Sequence, residues 1–359
     1  MKSRNKYKVI GLMSGTSLDG LDLVYCTIKR KKKVWKFEIQ AATTKSYTPE
    51  WKNKLTTAHT LSAPKLFTLN HTYGNYVATA TLQFIQENNI KQVDFIASHG
   101  HTIYHQPENG FTYQLGCGQS LFDRSGIPVV FDFRSLDVIR GGQGAPLVPI
   151  GDRYFFNQYD ICLNLGGIAN LSIEQNGKRI AYDFCFVNMG LNYLAAKAGK
   201  EFDKNGKMAS LGVIDINMLK QLNAIYTPLR KKRSSLGREG FEKLIQPILD
   251  NEAISVQNRL RTFCESIAIE LSKAVPLKKN SIKLLATGGG AHNSFLMRLI
   301  REKLKNKVNV VIPEKEIIDF KEAVVFALLG VLRVRGDINC LKSVTGARQD
   351  SSGGILVGF

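Results

Sequence analysis

Twice in this chain a short apolar strand enters a Gly-rich turn and leaves along a second strand. The first turn lies in Gly11-Leu-Met-Ser-Gly-Thr-Ser-Leu-Asp-Gly-Leu-Asp22, between strands predicted over 8–13 and 22–28. The second is Asn164-Leu-Gly-Gly-Ile-Ala-Asn170, between strands predicted over 161–165 and 169–173. A third alternating strand follows each pair, over 34–42 and 180–183, so each block opens with a three-stranded meander. Helices and strands then alternate. Helices are expected over 49–87, 188–198, 252–274, 292–303 and 319–334, and strands over 93–97, 127–131, 282–286 and 308–312. In 252–274 the residues Val256, Leu260, Phe263, Ile267 and Leu271 fall on one helical face, and Pro276 stops it. A structural duplication without sequence repetition follows. The expected fold is α/β, two lobes with a duplicated βββαβαβα core and a cleft between them. The lobes are expected at 1–138 plus 336–359, and at 139–335. A length of 359 residues suits two domains.

Composition closes off other classes. Apolar residues make up 44% and charged residues 22%, which is ordinary for a globular chain and excludes disorder or a collagen-like fibre throughout. No run of 18 apolar residues occurs, so no transmembrane helix is expected. The basic N-terminus lacks an apolar signal segment, and a cytoplasmic location is expected. Six cysteines, none at CxxC spacing, read as reduced and buried. The net charge of +19 would favour polyanions. The runs Lys29-Arg-Lys-Lys-Lys33 and Arg230-Lys-Lys-Arg233 carry no interleaved aromatics for base stacking, however. The first reads as a hairpin tip. No nucleic-acid partner and no membrane are expected.

The Gly-rich turns suit phosphate. Glycines let the backbone approach closely, and the N–H groups of such a turn make an anion nest. Asp19 and Asp22 could orient magnesium. The first turn is not a Walker A loop, since no GK[ST] occurs in the chain. The third turn, Thr287-Gly-Gly-Gly-Ala-His-Asn293, joins a strand to a helix, where helix N–H groups meet an anion or a ribose. Each turn alone reads equally well as a tight packing turn; two in duplicated blocks plus a strand–GGG–helix say more. The three together resemble the sugar kinase, Hsp70 and actin superfamily, whose nucleotide phosphates sit between two such hairpins. Asp132, Arg134 and Asp137 follow a strand and precede Gly141-Gly-Gln-Gly-Ala-Pro-Leu-Val-Pro149, which reads as substrate wall plus hinge or as a salt bridge and a plain hinge. Ser98-His-Gly-His-Thr-Ile-Tyr-His105 has zinc-like spacing without an evident fourth ligand, so these histidines hold a polar ligand or are satisfied at a strand end. Cys185 has no activating base nearby and reads as structural. Asp183, at a strand end, is either a proton acceptor or a turn aspartate.

The ordered series is specific. Met13-Ser-Gly-Thr-Ser-Leu-Asp-Gly20, Ser98-His-Gly100, Asp132-Phe-Arg134, the 141–149 segment, the 164–170 turn, Ser235-Leu-Gly-Arg-Glu239, Thr287-Gly-Gly-Gly290, Glu322-Ala323 and Thr345-Gly-Ala347 together resemble the anhydro-N-acetylmuramic acid kinase family across nearly the whole chain. The resemblance implies an ATP- and magnesium-dependent kinase of cell-wall recycling. It would open 1,6-anhydro-N-acetylmuramic acid with water and phosphorylate the freed 6-oxygen. Asp183 would be the base. Gly11, Ser14, Gly15, Thr16, Ser17, Asp19 and Gly20, with Asn164, Gly166 and Gly167, would take the phosphates. Gly288, Gly289 and Gly290 would take the adenosine, and Asp19 and Asp22 the metal. The sugar would be held by His99, Asp132, Arg134, Gln143, Asn188 and Glu322. A homodimer is implied. Three departures stand out. Phe184-Cys-Phe-Val187 replaces the family's Gly-containing turn, His101 stands where glutamine is usual, and Ser234 where lysine is. A kinase for another sugar and a nucleotide-sensing or nucleic-acid-associated protein are the competing readings.

Overall fold

The computed structural model describes residues 4–15, 18–32, 34–232, 236–276 and 281–359. Thr16, Ser17, Lys33, Arg233, Ser234 and Ser235 lie outside them, and with them part of the first turn, of both basic runs and of the Ser235–Glu239 motif. Contacts divide the chain into two units, 1–156 with 320–359, and 157–319. The expected division fell at 138/139 and 335/336. Two packings account for the difference. Phe155 packs tilted and Phe156 edge-on against Phe37, at 4.6 and 5.8 Å between centroids, tying the helix Pro149–Phe155 to the first unit. The helix Lys315–Arg335 contributes Ala323 and Phe326 to that unit too.

In the first unit, β1 (Lys6–Ser14), β2 (Gly20–Lys31) and β3 (Val34–Ser46) form the expected antiparallel meander. β4 (Phe95–Gln106) runs parallel to β1, and β6 (Val129–Phe131) parallel to β4. β5 (Phe111–Leu115) folds back on β4, and β12 (Ile355–Val357) closes the edge beside β6. The sheet order is β12-β6-β4-β1-β2-β3. Alternation in β1 and β2 buries Ile10, Leu12, Leu21 and Leu23 with Tyr73, Val77 and Phe84 of the helix Ala63–Glu87. The stretch expected as one helix over 49–87 is two, Pro49–Thr57 and Ala63–Glu87. Thr48 caps the first by accepting from Trp51 N, and Pro64 opens the second. Lys29–Lys32 does lie at a hairpin tip, where Lys31 pairs with Val34 and Lys32 turns at φ 48°.

In the second unit, β7 (Ile161–Leu165), β8 (Ile168–Gln175) and β9 (Lys178–Phe186) repeat the meander. β10 (Ile282–Thr287) lies parallel to β7, and β11 (Val308–Val311) parallel to β10. The helix Val256–Ala274 buries Leu260, Phe263, Ile267 and Leu271 against this sheet, as its spacing predicts. Ser255 caps it, which moves its start four residues past the expected 252. One strand departs from expectation. β9 does not end at Asp183 but continues through Phe184, Cys185 and Phe186, all at most 2% exposed. Large apolar side chains in place of glycines give those positions a core to fill, so the segment stays in the sheet.

Candidate active site

Each unit carries its own cluster of expected site residues. In the first, the turn after β1 is anchored from below. Ser14 is 2% exposed, and its Oγ lies 2.7 Å from the Tyr47 hydroxyl and 2.8 Å from His101 Nδ1. Tyr47 in turn meets the Tyr73 hydroxyl at 2.6 Å. The Ser14 hydroxyl, expected to face phosphate, is therefore committed inward; its backbone and Gly15 remain for an anion. Gly11 serves packing. A side chain there would come within 2.1 Å of the Ala323 carbonyl, so glycine is what lets the helix Lys315–Arg335 lie against β1. Gly20 likewise sits against the Lys45 carbonyl of β3.

Asp19 is exposed at the turn. Asp22 is half-buried and accepts from Thr44 Oγ1 at 2.6 Å. No cluster of three metal-ligating side chains exists among the described residues. Magnesium keeps waters and takes substrate phosphates beside one or two carboxylates, so this donor set fits it.

Of the residues expected to hold the sugar, His99, Arg134 and Glu322 lie together in this unit. Arg134 Nε donates to His99 Nε2 at 3.0 Å, and Arg134 Nη1 donates to the Gly144 carbonyl at 2.7 Å. An arginine only donates, so His99 carries its proton on Nδ1, which meets the Gly100 carbonyl at 2.9 Å. Burial, then the Arg134 charge, holds the His99 imidazole well below its usual pKa and keeps it neutral. Glu322 faces Arg134: burial raises its pKa and the Arg134 charge opposes that rise. Burial lowers Arg134 to about 10, still cationic at neutral pH. Asp132 holds a left-handed φ of 55°, and its Oδ1 accepts from Ser135 N and Oγ. Arg134 is not paired with Asp132 or Asp137, the salt bridge that the spacing allowed. Asp137 is instead a buried tie, accepting from Thr345 Oγ1, Cys340 Sγ and Gly144 N. Gln143 is exposed, its N–H bonded to the Thr345 carbonyl. A cavity of about 110 Å³ lies beside these residues, lined by Asn70, His99, Tyr113, Gln114, Phe131 and Asp132.

The two central histidines do not share an ion. Gly100 sits between them at φ 77° and breaks the strand's alternation. The His99 ring meets Phe326 at 4.6 Å, while the His101 ring meets Tyr73 at 6.4 Å, on a different helix.

In the second unit the two Gly-rich turns interlock. Gly288 has φ 81°, and a Cβ on it would lie 2.4 Å from Asn164 Oδ1. Gly289 and Gly290 lie against Asn188, whose Nδ2 donates to the Leu165 carbonyl at 3.1 Å. The Gly166 and Gly167 carbonyls accept from Val187, Asn188 and Met189 N–H, so this turn caps the helix Asn188–Ala196. Asn164, Gly166, Gly167, Asn188 and Gly288–Gly290 are thus one assembly. Asp183 stands opposite Asn170 across β8 and β9, half-buried, and its Oδ2 accepts from Leu236 N at 3.0 Å. That bond fixes the carboxylate's direction. Cys185 is fully buried and burial pushes its thiol far up, so it is no nucleophile. Tyr47, Tyr73 and His101 in the first unit, and Leu236 in the second, contact expected site residues without having been singled out as such themselves. His101 had a local signal in its spacing from His99, and Leu236 in the Ser235–Glu239 motif; Tyr47 and Tyr73 had none.

Two units, each a three-stranded antiparallel meander continued by parallel strands, with Gly-rich turns at the strand ends, define the sugar kinase/Hsp70/actin-like class. Within it, the family model described as anhydro-N-acetylmuramic acid kinase matches residues 7–358, and the chain belongs to that family. The chain is 33% identical over 372 residues to a Francisella tularensis subsp. novicida protein named anhydro-N-acetylmuramic acid kinase, covering 96% of this chain and 97% of that one. It is 32% identical over 367 residues to a Sulfurimonas denitrificans protein of the same name, covering 95% and 97%. Among solved structures, component A of (R)-2-hydroxyglutaryl-CoA dehydratase from Acidaminococcus fermentans resembles it at 12% identity and a TM-score of 0.46. That likeness covers 90% of this chain and 96% of that one. Among the described residues no helix is long and apolar enough to cross a membrane.

Proposed function

We propose that the protein is an ATP-dependent kinase of 1,6-anhydro-N-acetylmuramic acid that opens the anhydro ring as it phosphorylates, yielding N-acetylmuramic acid 6-phosphate for cell-wall recycling. The observation that carries this reading is the family match over residues 7–358. The site chemistry supports it. Asp183, its carboxylate oriented by Leu236 N, takes a proton from the water that attacks the anomeric carbon. The bond from that carbon to the 6-oxygen breaks, and its electron pair stays on the oxygen. The 6-oxygen attacks the γ-phosphorus, and ADP leaves with the bridging oxygen. Phosphoryl transfer of this kind asks a protein mainly for positioning and charge stabilisation. The Gly15 turn and the Asn164–Gly167 turn supply positioned backbone for the phosphates, and Gly288–Gly290 the adenosine side. Asp19 and Asp22 would hold magnesium, which neutralises phosphate charge when bound. Arg134, fixed by His99 and Gly144, and Glu322 hold the sugar. A cytoplasmic homodimer goes with this reading.

The altered Phe184–Val187 segment leaves Asp183 and Asn188 anchored at its two ends, which supports retained activity. The test is ADP release with ATP, magnesium and the anhydro sugar. Release should require the sugar and fall at least about a thousandfold in Asp183→Asn, with ATP binding kept. Release with free hexoses but not with the anhydro sugar would replace this substrate by another. Release with no sugar at all would point to a nucleotide-sensing ATPase.

A further inference from the structure

Three successive N–H groups of the Gly-rich loop 141–149 are spent on acceptors of the protein itself. Gly142 N donates to the Asp137 carbonyl at 2.9 Å, Gln143 N to the Thr345 carbonyl at 2.8 Å, and Gly144 N to Asp137 Oδ2 at 2.8 Å. Free N–H groups in such a loop would make an anion nest. With each one committed, the loop serves to hold something else, and what it holds is Arg134. The Gly144 carbonyl accepts from Arg134 Nη1 at 2.7 Å. Neither direction is open to choice. A backbone N–H and a guanidinium only donate, so Asp137 Oδ2 and the Gly144 carbonyl accept, whether or not Oδ1 carries a proton.

Asp137 is 1% exposed and is paired with no cation among the described residues. A buried carboxylate of that kind is costly to keep for packing alone. Its Oδ1 is met by the last segment of the chain, where Thr345 Oγ1 donates at 2.8 Å and Cys340 Sγ at 3.1 Å. Gly142 is what lets the carboxylate come so close. A Cβ there would lie 2.2 Å from Asp137 Oδ2 and 2.8 Å from Ala347 Cβ. Asp132-Phe-Arg134, the 141–149 loop and Thr345-Gly-Ala347 are thus joined through Asp137 into one line of contacts that ends on a guanidinium. At that end Arg134 has two fixed acceptors, His99 Nε2 for Nε and the Gly144 carbonyl for Nη1. Two acceptors set the direction of the planar fork; with His99 alone it would pivot about a single bond.

We propose that Asp137 is a positioning residue for the sugar: through Gly144 it sets the guanidinium of Arg134, and Thr345 holds Asp137 for that task. The support of Arg134 stands on geometry; its effect on the sugar rests on the kinase reading.

The first experiment needs no substrate. Nitrogen relaxation of the Arg134 Nε–H and hydrogen exchange of the Gly144 amide are followed in the full chain, with Arg134→Lys assigning the arginine signal. Asp137→Leu keeps the branched shape and removes the acceptors. It should free the Arg134 side chain on the nanosecond scale and speed Gly144 exchange at least about tenfold. Asp137→Asn can turn its carbonyl to Gly144 N and its amide to Thr345 Oγ1, which also accepts, and should leave both near wild type. An Arg134 signal as rigid in Asp137→Leu as in the wild type overturns the support. The second experiment is steady-state kinetics with ATP, magnesium and 1,6-anhydro-N-acetylmuramic acid. Asp137→Leu should raise the sugar KM about tenfold and leave the ATP KM within about twofold, and Asp137→Asn should bring the sugar KM back to within about threefold. In an Arg134→Ala background, Asp137→Leu should add less than about twofold, because the group it acts through is gone. A structural role alone would lower the unfolding midpoint and leave the sugar KM unchanged, or give an effect undiminished without Arg134; either result overturns the proposal. If Asp137→Leu does not fold, Gly142→Ala replaces it, since its methyl displaces Oδ2 with every donor kept. It should loosen Arg134 and raise the sugar KM together, and a change in neither overturns the proposal. Absence of turnover by the wild type would defeat the kinase reading, and the mobility experiment then decides the support of Arg134 by itself.

Discussion

Gly288 carries two demands at one position. Its φ of 81° is left-handed, and its missing Cβ is the space Asn164 Oδ1 occupies. Gly288→Ala should therefore cost about 1–3 kcal/mol in backbone strain alone, more once Asn164 is displaced. A lower midpoint of denaturant unfolding, together with weaker ATP binding, would bear this out; an unchanged midpoint would count against it. Glycines of this kind were legible in the sequence, because spacing around a turn is local. The hydroxyl line was not. Tyr47 lies 33 residues from Ser14 and Tyr73 a further 26 along, in no motif, and only the packing of the helix Ala63–Glu87 on β1 and β2 brings them together. The same distance in sequence hid the inward commitment of the Ser14 hydroxyl. His99 and Arg134, each inside a short motif, were legible as residues, but their mutual bond was not.

Strands show the same division between local and distant causes. The two meanders were readable because each alternates and each turn holds glycine. β5 and β12 were not, since both are short and gain their order from pairing with β4 and β6. β9 misled in another way. Its continuation past Asp183 follows from four apolar residues that find a core, and Phe186 illustrates the cost of removing it. Fully buried, it packs against Phe241 at 5.7 Å and Tyr226 at 6.5 Å. Phe186→Ala should destabilise the second unit by about 3–5 kcal/mol. The measurement is denaturant unfolding followed at Trp-independent far-ultraviolet wavelengths. A loss under about 1 kcal/mol would mean that the segment is peripheral to the core. Turnover that survives in the milder Phe186→Leu would separate this packing role from the chemistry at Asp183.

For the molecule as a whole, acid is the informative stress. Burial lowers the pKa of His99, His101 and His105, so each stays neutral in the fold below the pH at which it protonates when unfolded. Between about pH 6.5 and pH 4 the unfolded chain binds more protons than the folded one, so stability rises with pH across that window. It is complete above about 6.5 and drains as pH falls toward 4. His101 alone, lowered to about 4, contributes roughly 3 kcal/mol of this. Thermal melts from pH 7.5 down to pH 4 should show the first unit failing first, with a gentler slope in His101→Gln; a flat profile would contradict the buried, neutral histidines. The division of the chain has a consequence on the ribosome. The first unit is written in two instalments, 1–156 and 320–359, with the whole of the second unit between them. Its sheet cannot gain the edge strand β12, nor β1 its covering helix, until the 320–359 segment is read. At about 5–20 residues per second, the second unit has been made entire while the first still waits, exposed along one edge, for residues 320–359. Nascent-chain protection should accordingly appear in the middle of this protein before it appears at its beginning.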